Sequence, residues 1–227
     1  MSIALNATLS RRAVMAGLAS AGALALAGCT MTGSRHTETM PEPVVVPIDV
    51  LAMYGPRLDE EFPVPAAPIA QLDQMFWRQE VANVTGEPEG TVVVDTPNRF
   101  LYWTMPDGRA MRYGAGIGRD GFAWSGRGHI AYGRKWPVWT PPGEMVDRQP
   151  ELEIYRNGQP PGLDNALGAR ALYIHKGNVD TIYRIHGNMD VSTIGKAVSS
   201  GCVRLLFQDV IDLYDRVTWG SPIVVLQ

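Results

Sequence analysis

Ala171-Leu172-Tyr173-Ile174-His175 and Thr181-Ile182-Tyr183-Arg184-Ile185-His186 stand on either side of Gly177-Asn178. Two runs rich in β-branched and aromatic residues around a turn dipeptide predict a β-hairpin. The same pattern recurs outward from this stretch. Arg99–Trp103 and Ala110–Tyr113 flank Pro106-Asp107-Gly108, a second hairpin signal. Thr91–Val94 is a short β-branched run, Glu151–Tyr155 precedes the turn Asn157-Gly158, and Ile223–Leu226 reads as a final strand. Only Phe207–Val217 breaks the pattern: Val210, Leu213, Tyr214 and Val217 recur at helical spacing, predicting one amphipathic helix. Many short strands, one clear helix and abundant turns imply a mainly β, sandwich-like domain.

Composition agrees. The 24 glycines and 17 prolines among 227 residues exceed the usual share of about 12%. Hydrophobic residues make up 45%, enough for a real core. Twenty Lys and Arg against 23 Asp and Glu leave a net charge of −3, without the basic excess of a nucleic-acid binder. Two cysteines make neither a disulfide scaffold nor a Cys-rich zinc site. No metal is implied: His36, His129, His175 and His186 are spread out, with no HExxH pattern. Gly116-Ile117-Gly118-Arg119-Asp120-Gly121 matches GxGxxG by letter. A dinucleotide site needs a helix straight after the glycines, and loop chemistry (Phe122–Gly128) follows instead. Trp136–Pro142 is either a ligand platform or a loop stiffened by aromatics and prolines.

The N-terminus reads as an address. Residues 1–28 hold no Asp or Glu, and Arg11-Arg12 precedes an apolar run, Ala13–Ala27, too short to span a bilayer comfortably. Leu26-Ala27-Gly28-Cys29 resembles a bacterial lipobox, which implies cleavage before Cys29, acylation of Cys29 and attachment to a membrane. Ser10–Val14 also looks like a twin-arginine export motif; a Sec signal is the alternative. Either route places the protein outside the cytoplasm, in the envelope or periplasm, where ATP- or NAD-driven chemistry is not the default. Residues 29–68 are expected to be a Pro-rich tether, with Val44–Val46 as a stray edge strand. Residues 69–90 form a lead-in with a short helix over Ile69–Val81, and 91–227 form the domain proper.

Cys202 is the candidate nucleophile. With Cys29 blocked by lipid, it is a free thiol in an oxidising compartment, where cysteines are usually paired or avoided. It lies in Ser199-Ser200-Gly201-Cys202-Val203-Arg204, small residues whose backbone N–H groups could hold an oxyanion and favour a thiolate. His186 ends a predicted strand and could act as its base, the ion pair lowering the thiol's pKa. Composition alone leaves a second reading open, a buried inert Cys and an unrelated His.

Ile185-His186-Gly187, Ile194-Gly195 and Ser199–Arg204 together resemble the signature of the L,D-transpeptidase catalytic domain, the YkuD type. Gly90–Asp95, Tyr113–Gly126, Trp136–Pro142 and Leu167–Leu172 are similar too, so the resemblance covers 91–227. It implies that family's fold, with the helix following the catalytic Cys, and no cofactor. It implies peptidoglycan stem peptides as substrate, Cys202 as nucleophile and His186 as the general acid and base. Gly201, Ser200, Ser199, Arg204 and Gly187 are then the substrate- or oxyanion-binding residues. The acceptor would be the amine of a second stem, the Lys of an envelope lipoprotein, or water, the last making an L,D-carboxypeptidase; the alternative is a non-catalytic, lipid-anchored wall-binding module that kept the fold. The family usually carries His where Ser200 stands here.

Overall fold

The computed structural model describes residues 44–118, 125–199 and 201–227. The leader, Cys29, Ser200 and the tail of the GxGxxG match lie outside the described residues. Eleven strands are described: β1 (Gln79–Ala82), β2 (Val92–Asp95), β3 (Phe100–Met105), β4 (Arg109–Gly114), β5 (Ile117–Gly118), β6 (Gly126–Lys135), β7 (Arg170–Lys176), β8 (Val179–Asn188), β9 (Ala197–Ser199), β10 (Val203–Leu206) and β11 (Pro222–Leu226). Helices are few: α1 (Ile48–Met53), α2 (Gly143–Arg148) and α3 (Phe207–Arg216), with short 3-10 turns between. The mainly β expectation holds.

Nine strands form one sheet in the order β1-β4-β3-β2-β11-β6-β7-β8-β10, and β5 pairs separately with β9. Flat, nine strands at about 4.8 Å spacing would spread their ends far apart. Instead Tyr113 of β4 and Leu205 of β10 share one core cluster. Gly116, just past β4, donates to and accepts from the backbone of Arg204 on β10 (2.9 and 2.8 Å). The sheet is therefore curled until its wings meet, which gives the expected sandwich-like section. Gly116 is needed for that closure, since a Cβ there would lie 2.6 Å from the Thr193 carbonyl oxygen. This, rather than a nucleotide, accounts for the first glycine of the GxGxxG match.

α3 fills the inside of the curl. Val210, Leu213 and Val217 are buried against Ile185, Val203 and Leu205, the stripe read from the sequence. The helix stops at Arg216, and Val217 turns extended. Both predicted hairpins form, as β3–β4 and β7–β8. Two segments differ. Glu151–Tyr155 lies in a 3-10 helix entered through Pro150, not a strand. Ile69–Val81 is two 3-10 turns followed by the first residues of β1; Asp73 caps the second turn by accepting from the Met75 N–H, so no continuous helix runs through.

The tether expectation needs correction over 44–68. Pro43–Gln227 is one compact unit, and Val44–Val46 forms no strand. α1 buries Val50, Tyr54 follows it into the core, and Val64 is also buried. Arg57 and Val64 exchange backbone hydrogen bonds (2.9 and 3.0 Å). Gln208 Nε2 on α3 donates to the Pro65 carbonyl (2.9 Å). Prolines fix an extended backbone without needing a ladder partner. Interspersed with Val50, Tyr54 and Val64, they lay the chain along the body as a strap rather than a spacer.

Candidate active site

The site grows from the parallel pairing of β8 with β10. Ile185 faces Val203 and His186 faces Arg204 across the ladder. Ile185, Val203 and Leu205 point into the core, so alternation puts Arg184, His186 and Arg204 on the opposite face. Cys202 sits one step before β10, beside Arg184, whose backbone N–H and charge both act to hold the thiol's pKa down. Two residues 16 apart in sequence are thus set diagonally across one strand pair, His186 on β8 and Cys202 at the head of β10. Cys202 opens onto a cavity of about 680 Å³, with Trp139, Leu167, Tyr173, Tyr183 and Arg184 among its walls. That is an ordinary size for a small-ligand cleft.

His186 is buried, and its Nδ1 lies 3.0 Å from the Gly187 carbonyl oxygen. A carbonyl can only accept, so Nδ1 carries the proton and Nε2 is left as the acceptor. Burial pushes the His186 pKa down to about 4; the Gly187 carbonyl opposes this and the Arg204 charge adds to it. Burial also pushes the Cys202 thiol up, against the Arg184 N–H and the charges of Arg184 and Arg204. The expected thiolate–imidazolium pair is therefore replaced at rest by a neutral thiol and a neutral imidazole. The physical reason is desolvation, which outweighs the nearby donors.

The other expected site residues divide. Ser199 is buried, its Oγ donating to the Cys202 carbonyl (2.6 Å) and accepting from the Gly201 N–H (3.2 Å). The Gly201 amide, expected to face an oxyanion, is thus committed to shaping the turn. Gly201 has φ +125°, and the Tyr183 ring would stand 3.1 Å from a Cβ there. Gly187 faces inward, where a Cβ would meet the Phe207 ring at 2.8 Å; its carbonyl fixes the imidazole tautomer. Arg204 joins β10 to Gly116 through its backbone and lends charge to both site groups. Ser200 lies outside the described residues.

Trp136–Pro142 splits between its two readings. Trp136 is buried and donates from Nε1 to Glu60 (3.0 Å), whereas Val138, Trp139, Thr140 and Pro142 line the cavity. Tyr183 and Arg184 were missed as site residues, because in sequence they are only two positions of a hairpin strand. Among the described residues, no three or more His, Cys, Asp or Glu converge as metal ligands. His129 and His175 face each other across β6 and β7, ring centroids 6.0 Å apart.

A thiol at the wall of a cleft and a neutral imidazole on the neighbouring strand place one nucleophilic and one basic group on the same sheet face. The chain belongs to the L,D-transpeptidase catalytic domain family: the YkuD family model matches residues 89–225. A putative L,D-transpeptidase of Fuscovulum blasticum, from the ATP synthase subunits region, is 28% identical over 222 residues, covering 96% of this chain and 98% of that protein. The probable L,D-transpeptidase ErfK/SrfK of Escherichia coli is 28% identical over 210 residues, 88% of this chain. The chain spans only 65% of that relative's length. Among solved structures, a Brucella melitensis protein described as a probable carnitine operon oxidoreductase is 42% identical, covering 70% of this chain and 99% of its own, with a TM-score of 0.48.

Proposed function

We propose that the protein is a cysteine-dependent L,D-transpeptidase that cross-links peptidoglycan. The observation that carries this reading is Cys202 at the wall of the 680 Å³ cavity, with His186 on the same face of the adjoining strand. The substrate is the tetrapeptide stem, cut between the L-centre of its diamino acid and the terminal D-alanine.

The neutral resting pair sets the order of events. His186 Nε2 takes the thiol proton as the sulfur attacks the carbonyl, so no thiolate needs to accumulate beforehand. The Cys202 N–H is the candidate donor to the tetrahedral oxyanion, since the Gly201 N–H is held by Ser199. His186 returns the proton to the departing D-alanine amine, leaving a thioester on Cys202. An amine of a second stem then attacks the thioester, His186 accepts its proton, and the thiol is released with the new amide. Nδ1–H stays on the Gly187 carbonyl throughout, keeping the ring turned for both transfers. No external energy source is required, because the bond broken supplies the acyl group.

The lipobox-like run ending at Cys29 and the apolar leader support export and a lipid anchor on a membrane of the envelope. Incubation of the purified protein with stem tetrapeptide and an acceptor stem tests the chemistry. Mass spectrometry should show loss of D-alanine, a covalent adduct on Cys202 and a cross-linked dimer. An adduct that resolves only to tripeptide identifies water as the acceptor, and no adduct at all overturns the reading.

A further inference from the structure

β7 and β8 pair with Tyr173 opposite Arg184 and His175 opposite Asp180. Thr181, Ile182 and Tyr183 therefore stand against the single residue Ile174, a pronounced bulge on β8. At its crest Ile182 has φ +67°, a region that β-branched side chains all but avoid. Nothing in the core rewards this, because Ile182 is 69% exposed. Its place is on the wall of the cavity that holds Cys202.

The strained conformation is held from several sides. Asp180 Oδ1 accepts from the Ile182 N–H (2.8 Å), and Thr181 Oγ1 donates to the Ile174 carbonyl (2.7 Å) while accepting from the Tyr183 N–H (3.3 Å). Arg184 forks onto both Asp180 oxygens (2.7 and 2.8 Å), and its Cζ lies over the Tyr173 ring, 4.2 Å from the centroid. Where this hairpin needs a left-handed residue only for its turn, it uses Gly177 (φ 57°). Isoleucine at 182 fits a task outside folding, since strain held in place this firmly clusters at ligand clamps. Val138, Pro142, Met145 and Leu167 add apolar surface to the same cavity.

We propose that Ile182 is a specificity-determining residue of the acyl-donor cleft, packing on the methylene chain of the diamino acid whose carbonyl Cys202 attacks. The proposal rests on the transpeptidase reading and names which part of the donor this lip grips. Its test compares the full chain with Ile182→Gly and Ile182→Val, reading thermal midpoint, Cys202 alkylation by iodoacetamide, and thioester formation against tetrapeptide concentration. Ile182→Gly should raise the midpoint by relieving the backbone and leave alkylation unchanged. It should raise the half-saturating tetrapeptide concentration on the order of tenfold, with the maximal acylation rate kept. Ile182→Val should restore half-saturation close to that of the wild type. A Gly variant that saturates like the wild type overturns the assignment of Ile182 alone. A wild type that alkylates but never forms a thioester overturns the transpeptidase reading and this inference with it.

Discussion

The strap and the β8–β10 site both bury polar side chains, and they solve the cost in opposite ways. On the strap, Glu60 is fully engaged: Arg170 meets its two oxygens at 2.6 and 2.8 Å, and Trp136 adds a third bond. The charges stay, because each has a partner. At the site the buried imidazole and the half-buried thiol have no counter-charge beside them and lie uncharged. Paired charges lock a segment in place. Neutral, desolvated groups hold no counter-charge and leave a titratable proton on the thiol and an open acceptor on the imidazole. The same chemistry of burial thus produces a charged latch in one region and an uncharged thiol and imidazole in the other.

The sharpest way to break this contrast is at the sulfur. Cys202→Ala should abolish adduct formation and D-alanine release, with the circular dichroism spectrum unchanged. His186→Ala should slow acylation by about 10²–10⁴, the usual worth of a general base; an unchanged rate moves that role to another group. On the strap the effect should fall on stability. Glu60→Ala leaves the Arg170 guanidinium buried and unpaired, which costs about 3–5 kcal/mol. Urea titration reads that loss, and iodoacetamide alkylation of the folded variant should match the wild type. If alkylation accelerated instead, strap and site would be coupled rather than separate.

The sequence showed one of these regions far better than the other. The hairpins around Pro106-Asp107-Gly108 and Gly177-Asn178, and the stripe Val210, Leu213 and Val217, are local signals, and each became the predicted element. Cys202 and His186 were singled out because a lone thiol downstream of an export-like leader is chemically conspicuous and because Ile185-His186-Gly187 and Ser199–Arg204 resemble the family signature. Their charge state was not, since desolvation depends on what the fold closes around them. Nor was the role of Ser199 and Gly201, whose mutual hydrogen bond depends on a turn's geometry. The strap was misread because prolines raise the same compositional flag in a free linker and in an extended segment pinned to a surface. What separates them is Glu60 finding Arg170, a partner 110 positions away that no periodicity announces.

A smaller effect sharpens the comparison, because one residue at the seam between strap and α3 follows neither rule fully. Asp209 is buried beside Arg78 (3.8 Å) and accepts from the Tyr54 hydroxyl (3.1 Å), but Arg78 lies nearer Asp212 (3.2 Å). Burial, reinforced by the Asp212 charge, lifts the Asp209 carboxyl to about 7 despite Arg78 and Tyr54. Its folded pKa exceeds its unfolded one, so its contribution is full below about pH 4 and is lost as pH rises towards 7. His186 has the opposite sign. Its folded pKa of about 4 is below the unfolded 6.5, so stability is lost as pH falls from 6.5 to 4. Over that window the two nearly cancel, and the wild type should show little net pH dependence from the two together. Asp209→Asn removes one side of the balance. Stability should then fall from pH 6.5 to pH 4 by up to about 3 kcal/mol, the size of the His186 shift. Urea midpoints at half-unit pH steps measure this. A variant as flat as the wild type would mean that His186 is not held neutral by burial, and the proton-transfer order built on a neutral pair would have to be redrawn.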